Sequence, residues 1–136
     1  MTSPLSGVSA SGGPGCHGRI DRADDPALPP AVLVAVHDDA PPAVLREVCA
    51  GAEEQGIPTA ILGSTVAGPD DAGRHAATES RLEVGVGIGA DGAVVVRHAL
   101  VPEAVLALAG GPSAAQARRA GADAARIVAG LALRAT

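Results

Sequence analysis

The stretch that most limits the fold is 82–98, where two apolar runs, 82–88 and 93–98, meet at Asp91-Gly92. Runs this rich in β-branched residues favour strands, and Asp-Gly supplies the positive φ angles of a two-residue hairpin turn of type I′. The same stretch holds Gly87-Ile-Gly89-Ala-Asp-Gly92, a match to the Gly-x-Gly-x-x-Gly spacing of a dinucleotide-binding loop. A working loop of that kind opens a helix, whose N-terminus holds the pyrophosphate. Here a strand-forming run follows instead, so the stretch reads as a hairpin and the match as incidental. Gly85, Gly87 and Gly89 alternate, which bares one strand face for close approach of another backbone or helix.

Around this hairpin the chain alternates strand and helix signals. Residues 31–37 form a continuous apolar run, the pattern of a strand buried on both faces. Asp38 and Asp39 offer N-caps and Pro41-Pro42 suit a first helical turn, so a helix should run to about Gln55 and bury Val44, Leu45, Val48 and Ala52. Gly56 and Pro58 end it, and 58–63 is a second strand. A short helix follows over 68–78, with Asp70 and Asp71 where its dipole favours them. After the hairpin, Pro102 breaks the pattern and 105–108 forms a last short strand. Ser113-x-x-Gln116 is a capping box opening a helix over 114–129, whose small residues Ala117, Ala120, Gly121 and Ala124 permit close packing on a sheet. The fold class is α/β: a single small open-sheet domain with Rossmann-like or flavodoxin-like layers.

Composition excludes several functions. The chain of 136 residues has no Phe, Trp or Tyr, and its formal net charge is -5. Its core must therefore be aliphatic, and neither base stacking on aromatics nor a basic surface for a phosphate backbone is at hand. No nucleic-acid or membrane partner is expected. Residues 1–30 are rich in Ser, Gly and Pro, lack apolar periodicity, and show no basic segment followed by an apolar core. They read as a flexible N-terminal tail, leaving 31–136 as the folded domain. Cys16 and Cys49 make no disulfide framework, which suits a reducing compartment.

No catalytic constellation emerges. His17, His37, His75 and His98 lack metal-ligand spacing, and the chain has neither a lysine nor a nucleophile elbow. His37 ends the first strand, where open α/β folds place ligand sites, yet no base or orienting group accompanies it. The acidic residues are more informative. Glu47 and Glu54 are seven apart and share a helix face, and Glu53 and Glu54 stand in the last turn, where the dipole disfavours carboxylates. A cation or a partner's basic group would relieve that cost.

The stretch Gly51-Ala-Glu53-Glu54-Gln-Gly56-Ile57-Pro58 resembles the Gly-x-Glu-Glu-x-Gly-Ile-Pro segment of the small subunit of diol/glycerol dehydratase reactivating factors. Arg46-Glu47-Val48, Ser80-x-Leu82-x-Val84-Gly85 and the stretch 117–130 extend the resemblance over most of 31–133. Where members commonly carry aromatics and histidines after the second strand, this chain has "GSTVAGPDDAG". The resemblance implies a domain similar in fold to the dehydratase medium subunit, with no catalytic residues and no tightly bound organic cofactor. It implies a large reactivase subunit as partner, an ATPase of actin-like fold. The target would be coenzyme-B12-dependent diol or glycerol dehydratase, from which the two subunits together release damaged cobalamin by subunit exchange. It further implies Mg²⁺ shared at the interface with the large subunit. Glu54, which matches the second glutamate of the family segment, would be the metal ligand from this chain. Localisation would be cytoplasmic, free or within a bacterial microcompartment. Two other readings stand beside it: the dehydratase medium subunit itself, against which the chain's length argues, and a stand-alone flavodoxin-like nucleotide-binding protein, against which the missing phosphate loop argues.

Overall fold

A computed structural model of the chain describes residues 16–20, 29–64 and 68–135. At its centre the doubly buried run forms β2 (Val32–His37), flanked by β3 (Thr59–Ser64) and β4 (Val84–Ile88), both parallel to it. On the β4 side follow β5 (Val94–His98) and β6 (Leu106–Leu108), each antiparallel to its neighbour. Beyond β3 lies β1 (Cys16–Ile20), parallel to it, so the order is β1-β3-β2-β4-β5-β6. Three helices complete the domain: α1 (Pro42–Glu54), α2 (Pro69–Glu79) and α3 (Ala114–Ala135).

The order β3-β2-β4 sets the layers. The crossover from β2 through α1 to β3 runs one way along the sheet, and the crossover from β3 through α2 to β4 runs the other. Right-handed connections then place α1 and α2 on opposite faces. Period two along β2 divides its side chains accordingly. Val32, Val34 and Val36 join Val44 and Val48 of α1 and Ala117, Ala120 and Ala124 of α3 in the main core. Ala31, Leu33 and Ala35 meet Ala72 and Ala76 of α2 in a thinner second core. β4 carries the same division, with Val84, Val86 and Ile88 on the thick side and glycines on the thin one. A Cβ at Gly85 would lie 2.2 Å from the backbone nitrogen of Ala77, and one at Gly87 would lie 1.9 Å from the carbonyl oxygen of Pro69. The alternating glycines admit α2 against the strand.

The hairpin is present, but its turn differs from the expected one. Gly89 N–H donates to the Ala93 carbonyl and Gly92 N–H to the Gly89 carbonyl, enclosing a three-residue loop, Ala90-Asp91-Gly92. Only Gly92 has positive φ, at 88°, and the Asp91 carboxylate accepts from Ala93 N–H at 3.0 Å. This is a type I turn followed by a left-handed glycine, in which the aspartate serves through its side chain. Neither Asp38 nor Asp39 caps α1; Pro41 holds the N-cap position with no side-chain bond. The capping box of α3 does form, with Ser113 N–H on Gln116 Oε1 at 2.8 Å and Gln116 N–H on Ser113 Oγ at 3.1 Å.

Two further expectations need correction. The flexible tail assigned to 1–30 does not hold over Cys16–Ile20, which form an edge strand because β3 leaves a free ladder edge beside them. Residues 1–15 and 21–28 lie outside the described residues. The small-residue face of α3 packs on the sheet through its alanines, but Gly121 faces α1. There a Cβ would stand 1.8 Å from the Val48 carbonyl oxygen.

One residue carries backbone strain. Glu83, in the turn before β4, has φ 63°, the sole positive-φ position among the described residues that is not glycine. Its N–H donates to Ser80 O, and its own carbonyl accepts from Ala99 N–H, which fixes the conformation. Left-handed backbone costs a side-chain-bearing residue about 1–2 kcal/mol, part of which glycine's larger unfolded-state entropy offsets. Glu83→Gly is therefore expected to stabilise the fold by roughly 0.5–1 kcal/mol in urea unfolding. Lower stability in the variant would show that the Glu83 side chain contributes more than its backbone loses.

Candidate functional site

The two ends of the sheet differ in chemistry. At the carboxyl ends of β2 and β4, where the strand order reverses and open α/β folds bind nucleotides, the loops carry Asp38, Asp39 and Asp91, all exposed. Proline begins both α1 and α2, and Pro41 and Pro42 together remove two of the N–H groups an anion would use. In the 89–92 turn, a Cβ at Gly92 would lie 3.4–3.6 Å from Pro112, Val44 and Pro41. His37, the sequence candidate here, uses Nδ1 to accept Asp39 N–H at 3.0 Å. It is a strand-end histidine with a local partner. Among the described residues, acidic loops and prolines at the helix starts leave few donors for a phosphate at this end.

The opposite end gathers the first residues of β2, β3 and β4, the last residue of β5 and the C-terminus of α1. There Arg118 of α3 reaches across to α1. Its Nε donates to Glu47 Oε1 at 2.9 Å and its Nη1 to Glu54 Oε2 at 3.1 Å. The last turn of α1 holds no basic residue of its own. Arg118 supplies the cation that the helix dipole asks for, from 64 residues further along the chain. The side chain of Glu54 remains 53% exposed and that of Glu47 27%, so both pairs are solvent-screened. Glu53, beside them, is exposed. Among the described residues no group of three or more His, Cys, Asp or Glu side chains is placed to hold a metal ion. Glu54 can contribute one carboxylate to an ion whose other ligands come from elsewhere, which is all a hard, well-hydrated cation requires of one element.

The same end carries the segment between β5 and β6, which sequence reading passed over as a break at Pro102. Its Leu100, Val101 and Val105 are the exposed large apolar residues of the described chain. The segment is pinned from below. Arg97 of β5, 5% exposed, donates through Nη1 to Asp70 of α2 at 3.0 Å and through Nη2 to the Pro102 carbonyl at 3.0 Å. His98, also buried, accepts Leu100 N–H on Nδ1 at 3.0 Å. Arg97 Nε is buried with no hydrogen-bond partner. Nothing in "VVVRHALVP" marks this arginine as buried, because its partners lie on another helix and on a backbone carbonyl. Of the other histidines, His75 is exposed on α2, and the side chain of His17 lies outside the described residues. No helix among the described residues is long and apolar enough to cross a membrane.

Comparison with known proteins bears on this geometry. The family model described as dehydratase medium subunit matches residues 29–134. A protein of Citrobacter freundii named probable glycerol dehydratase-reactivating factor small subunit is 40% identical over 93 residues, 62% of this chain and 75% of that protein. Among solved structures, a glycerol dehydratase reactivase chain superposes with a TM-score of 0.70 at 30% identity, covering 74% of this chain and 93% of that one. A diol dehydratase-reactivating factor complexed with ADP and Mg²⁺ gives 0.69 at 30% identity, covering 76% and 95%.

Proposed function

Since the chain belongs to the dehydratase medium-subunit family and is similar to its reactivating-factor small subunits, we propose that it is the non-catalytic small subunit of a reactivating factor. The factor would serve a coenzyme-B12-dependent diol or glycerol dehydratase. The observation that carries this reading is the likeness to reactivase chains along nearly their whole length, in a domain whose nucleotide end is acidic and short of N–H donors. ATP hydrolysis belongs to a large partner subunit. This chain supplies binding surfaces, and its likeness to the medium-subunit family supports a role in which it takes that subunit's place and opens the dehydratase to coenzyme exchange. The folded domain is assigned to 31–136, joined at its edge by β1.

Glu54 is assigned as this chain's ligand to a Mg²⁺ ion held at the interface with the large subunit. Its exposed carboxylate at the end of α1 fits that use, and so does the Mg²⁺ present in the diol dehydratase-reactivating factor to which the chain is similar. When bound, the ion would take one carboxylate, that of Glu54, from this chain and its other ligands from elsewhere. Arg118 would keep Glu47 as its partner when Glu54 turns toward the ion.

The test is reconstitution. Inactivated dehydratase should recover activity with ATP, Mg²⁺, the large subunit and this chain, and not with this chain alone. Glu54→Gln should weaken heterodimer formation about tenfold in Mg²⁺, near 1.4 kcal/mol, and much less in chelator. Glu53→Gln should bind like the parent. Equal affinity of parent and Glu54→Gln in Mg²⁺ removes the metal-ligand role, and failure of the complete mixture to restore activity removes the reactivase reading.

A further inference from the structure

The segment between β5 and β6 exposes apolar side chains on a rigid base. Leu100 is 75% exposed, with Val101 at 41% and Val105 at 43%. Water-facing aliphatic side chains on a connecting segment are ordinary when scattered, but here they are adjacent and border a common groove. The groove, of about 600 Å³, runs between Leu100, Val105 and Leu106 on one side and Ile127, Gly130 and the Asp123–Arg126 ion pair of α3 on the other. Five backbone or side-chain bonds hold the segment in place: those from Arg97 and to His98 already described, Ala99 N–H to Glu83 O, Val101 N–H to His98 O, and Val105 N–H to Val96 O. The same arginine keeps one buried N–H without a partner, so its place under the segment is not explained by hydrogen bonding alone. A pre-ordered apolar surface loses little entropy on binding, which is the gain such an arrangement offers.

Next to the groove a second cleft, of about 470 Å³, is lined by Arg74, Arg97, His98 and residues 99–102 of the same segment, with no carboxylate among these. Arg74 is 58% exposed and is held to Asp70 only at 3.4 Å. On a chain of net charge -5 this is a cationic position. In a two-fold contact only residues on the axis meet their own equivalents, so a second copy is set apart by the binding titration and not by charge. The complementary occupant carries apolar side chains for the groove and a carboxylate for Arg74.

We propose that the β5–β6 segment, the groove beside α3 and the Arg74 cleft form a docking surface for an apolar, carboxylate-bearing segment of the large partner subunit. The proposal rests on the reactivase reading and extends the contact from Glu54 across the same end of the sheet. Apolar burial in the groove supplies the affinity, and Arg74 sets the register of the bound segment.

The experiment titrates the purified large subunit with the full chain, with Leu100→Asp, Val105→Asp and Arg74→Glu, and with Ala90→Asp at the opposite end as control. Thermal unfolding of each variant confirms that the fold is retained. Leu100→Asp and Val105→Asp should weaken binding at least tenfold in chelator as well as in Mg²⁺. Arg74→Glu should weaken it about fivefold, and Ala90→Asp should not change it. If the parent binds and the groove variants bind within twofold of it, the docking surface is overturned while the reactivase reading stands. If the parent itself does not bind the large subunit, both fall. Self-association of the parent that Leu100→Asp abolishes, with large-subunit binding unchanged, would assign the surface to a second copy and overturn the proposal.

Discussion

Gly121→Ala is expected to destabilise the domain by roughly 3 kcal/mol or more, at the upper end of what overpacking costs. The added methyl would lie 1.8 Å from the carbonyl oxygen of Val48 and 2.7 Å from its carbonyl carbon. Those are backbone atoms of α1, so no side chain can swing aside and the two helices must separate. Gly51 meets the same limit from the other side, with 1.9 Å to the Arg118 carbonyl oxygen. Separation would also draw Ala117, Ala120 and Ala124 away from the valines of β2, β4 and β5, opening the main core along α3. Gly130, on the same helix with no atom within 4 Å of an added Cβ, provides the contrast. Gly130→Ala should be neutral or stabilising by up to about 1 kcal/mol, through helix propensity alone. Urea unfolding of both variants gives the comparison. Equal midpoints for Gly121→Ala and the parent would mean that α1 and α3 do not cross at this distance.

The second large effect is at Asp70. Asp70→Ala leaves Arg97 buried with its charge unpaired, and breaking a buried ion pair from one side costs about 3–5 kcal/mol. Asp70 is half exposed and water can reach its place, so the expected loss is nearer 2 kcal/mol. Arg97→Met removes the charge together with the unpartnered Nε and keeps the stem packed on Gly73, so it should cost less, about 1 kcal/mol. The double variant should resemble Arg97→Met, since Asp70 then has no buried cation to neutralise. Amide exchange at Leu100 and Val101 should quicken in both single variants as the Pro102 carbonyl loses its donor or the donor loses its anchor. A double variant whose loss equals the sum of the two singles would show that the pair is not coupled.

Much of the fold was legible because its signals are local. The uninterrupted 31–37 run, the prolines at the starts of α1 and α2, the Ser113 and Gln116 box and the β-branched run after Gly92 each depend on neighbours within a few residues. The alternating glycines of β4 predicted a close backbone approach, and α2 makes it. What was missed depends on partners far along the chain. Cys16–Ile20 has little strand character of its own and is a strand by pairing with β3. Gly121 packs on a helix 73 residues earlier, at Val48, and sequence alone could not say whether a small-residue face meets a sheet or a helix. At the candidate site the shared face of Glu47 and Glu54 and their want of a cation were readable. That the nearest cation is the chain's own Arg118 was not, because a 64-residue separation leaves no periodic trace. The resemblance carried by 51–58 supplied the family, which physical spacing could not have done.

The α1–α3 contact also imposes an order in time. When the chain is made on the ribosome, α1 and the parallel strands β2, β3 and β4 are all present before the residues of α3 have been added. Val44 and Val48, which α3 will cover, must wait for a helix roughly 70 residues away. At about 5–20 residues per second that is an interval of roughly 4–14 s in which an aliphatic face of the nascent domain stands uncovered. A truncated chain lacking α3 would remain in that condition indefinitely, whereas loss of an edge strand such as β1 would leave the face closed.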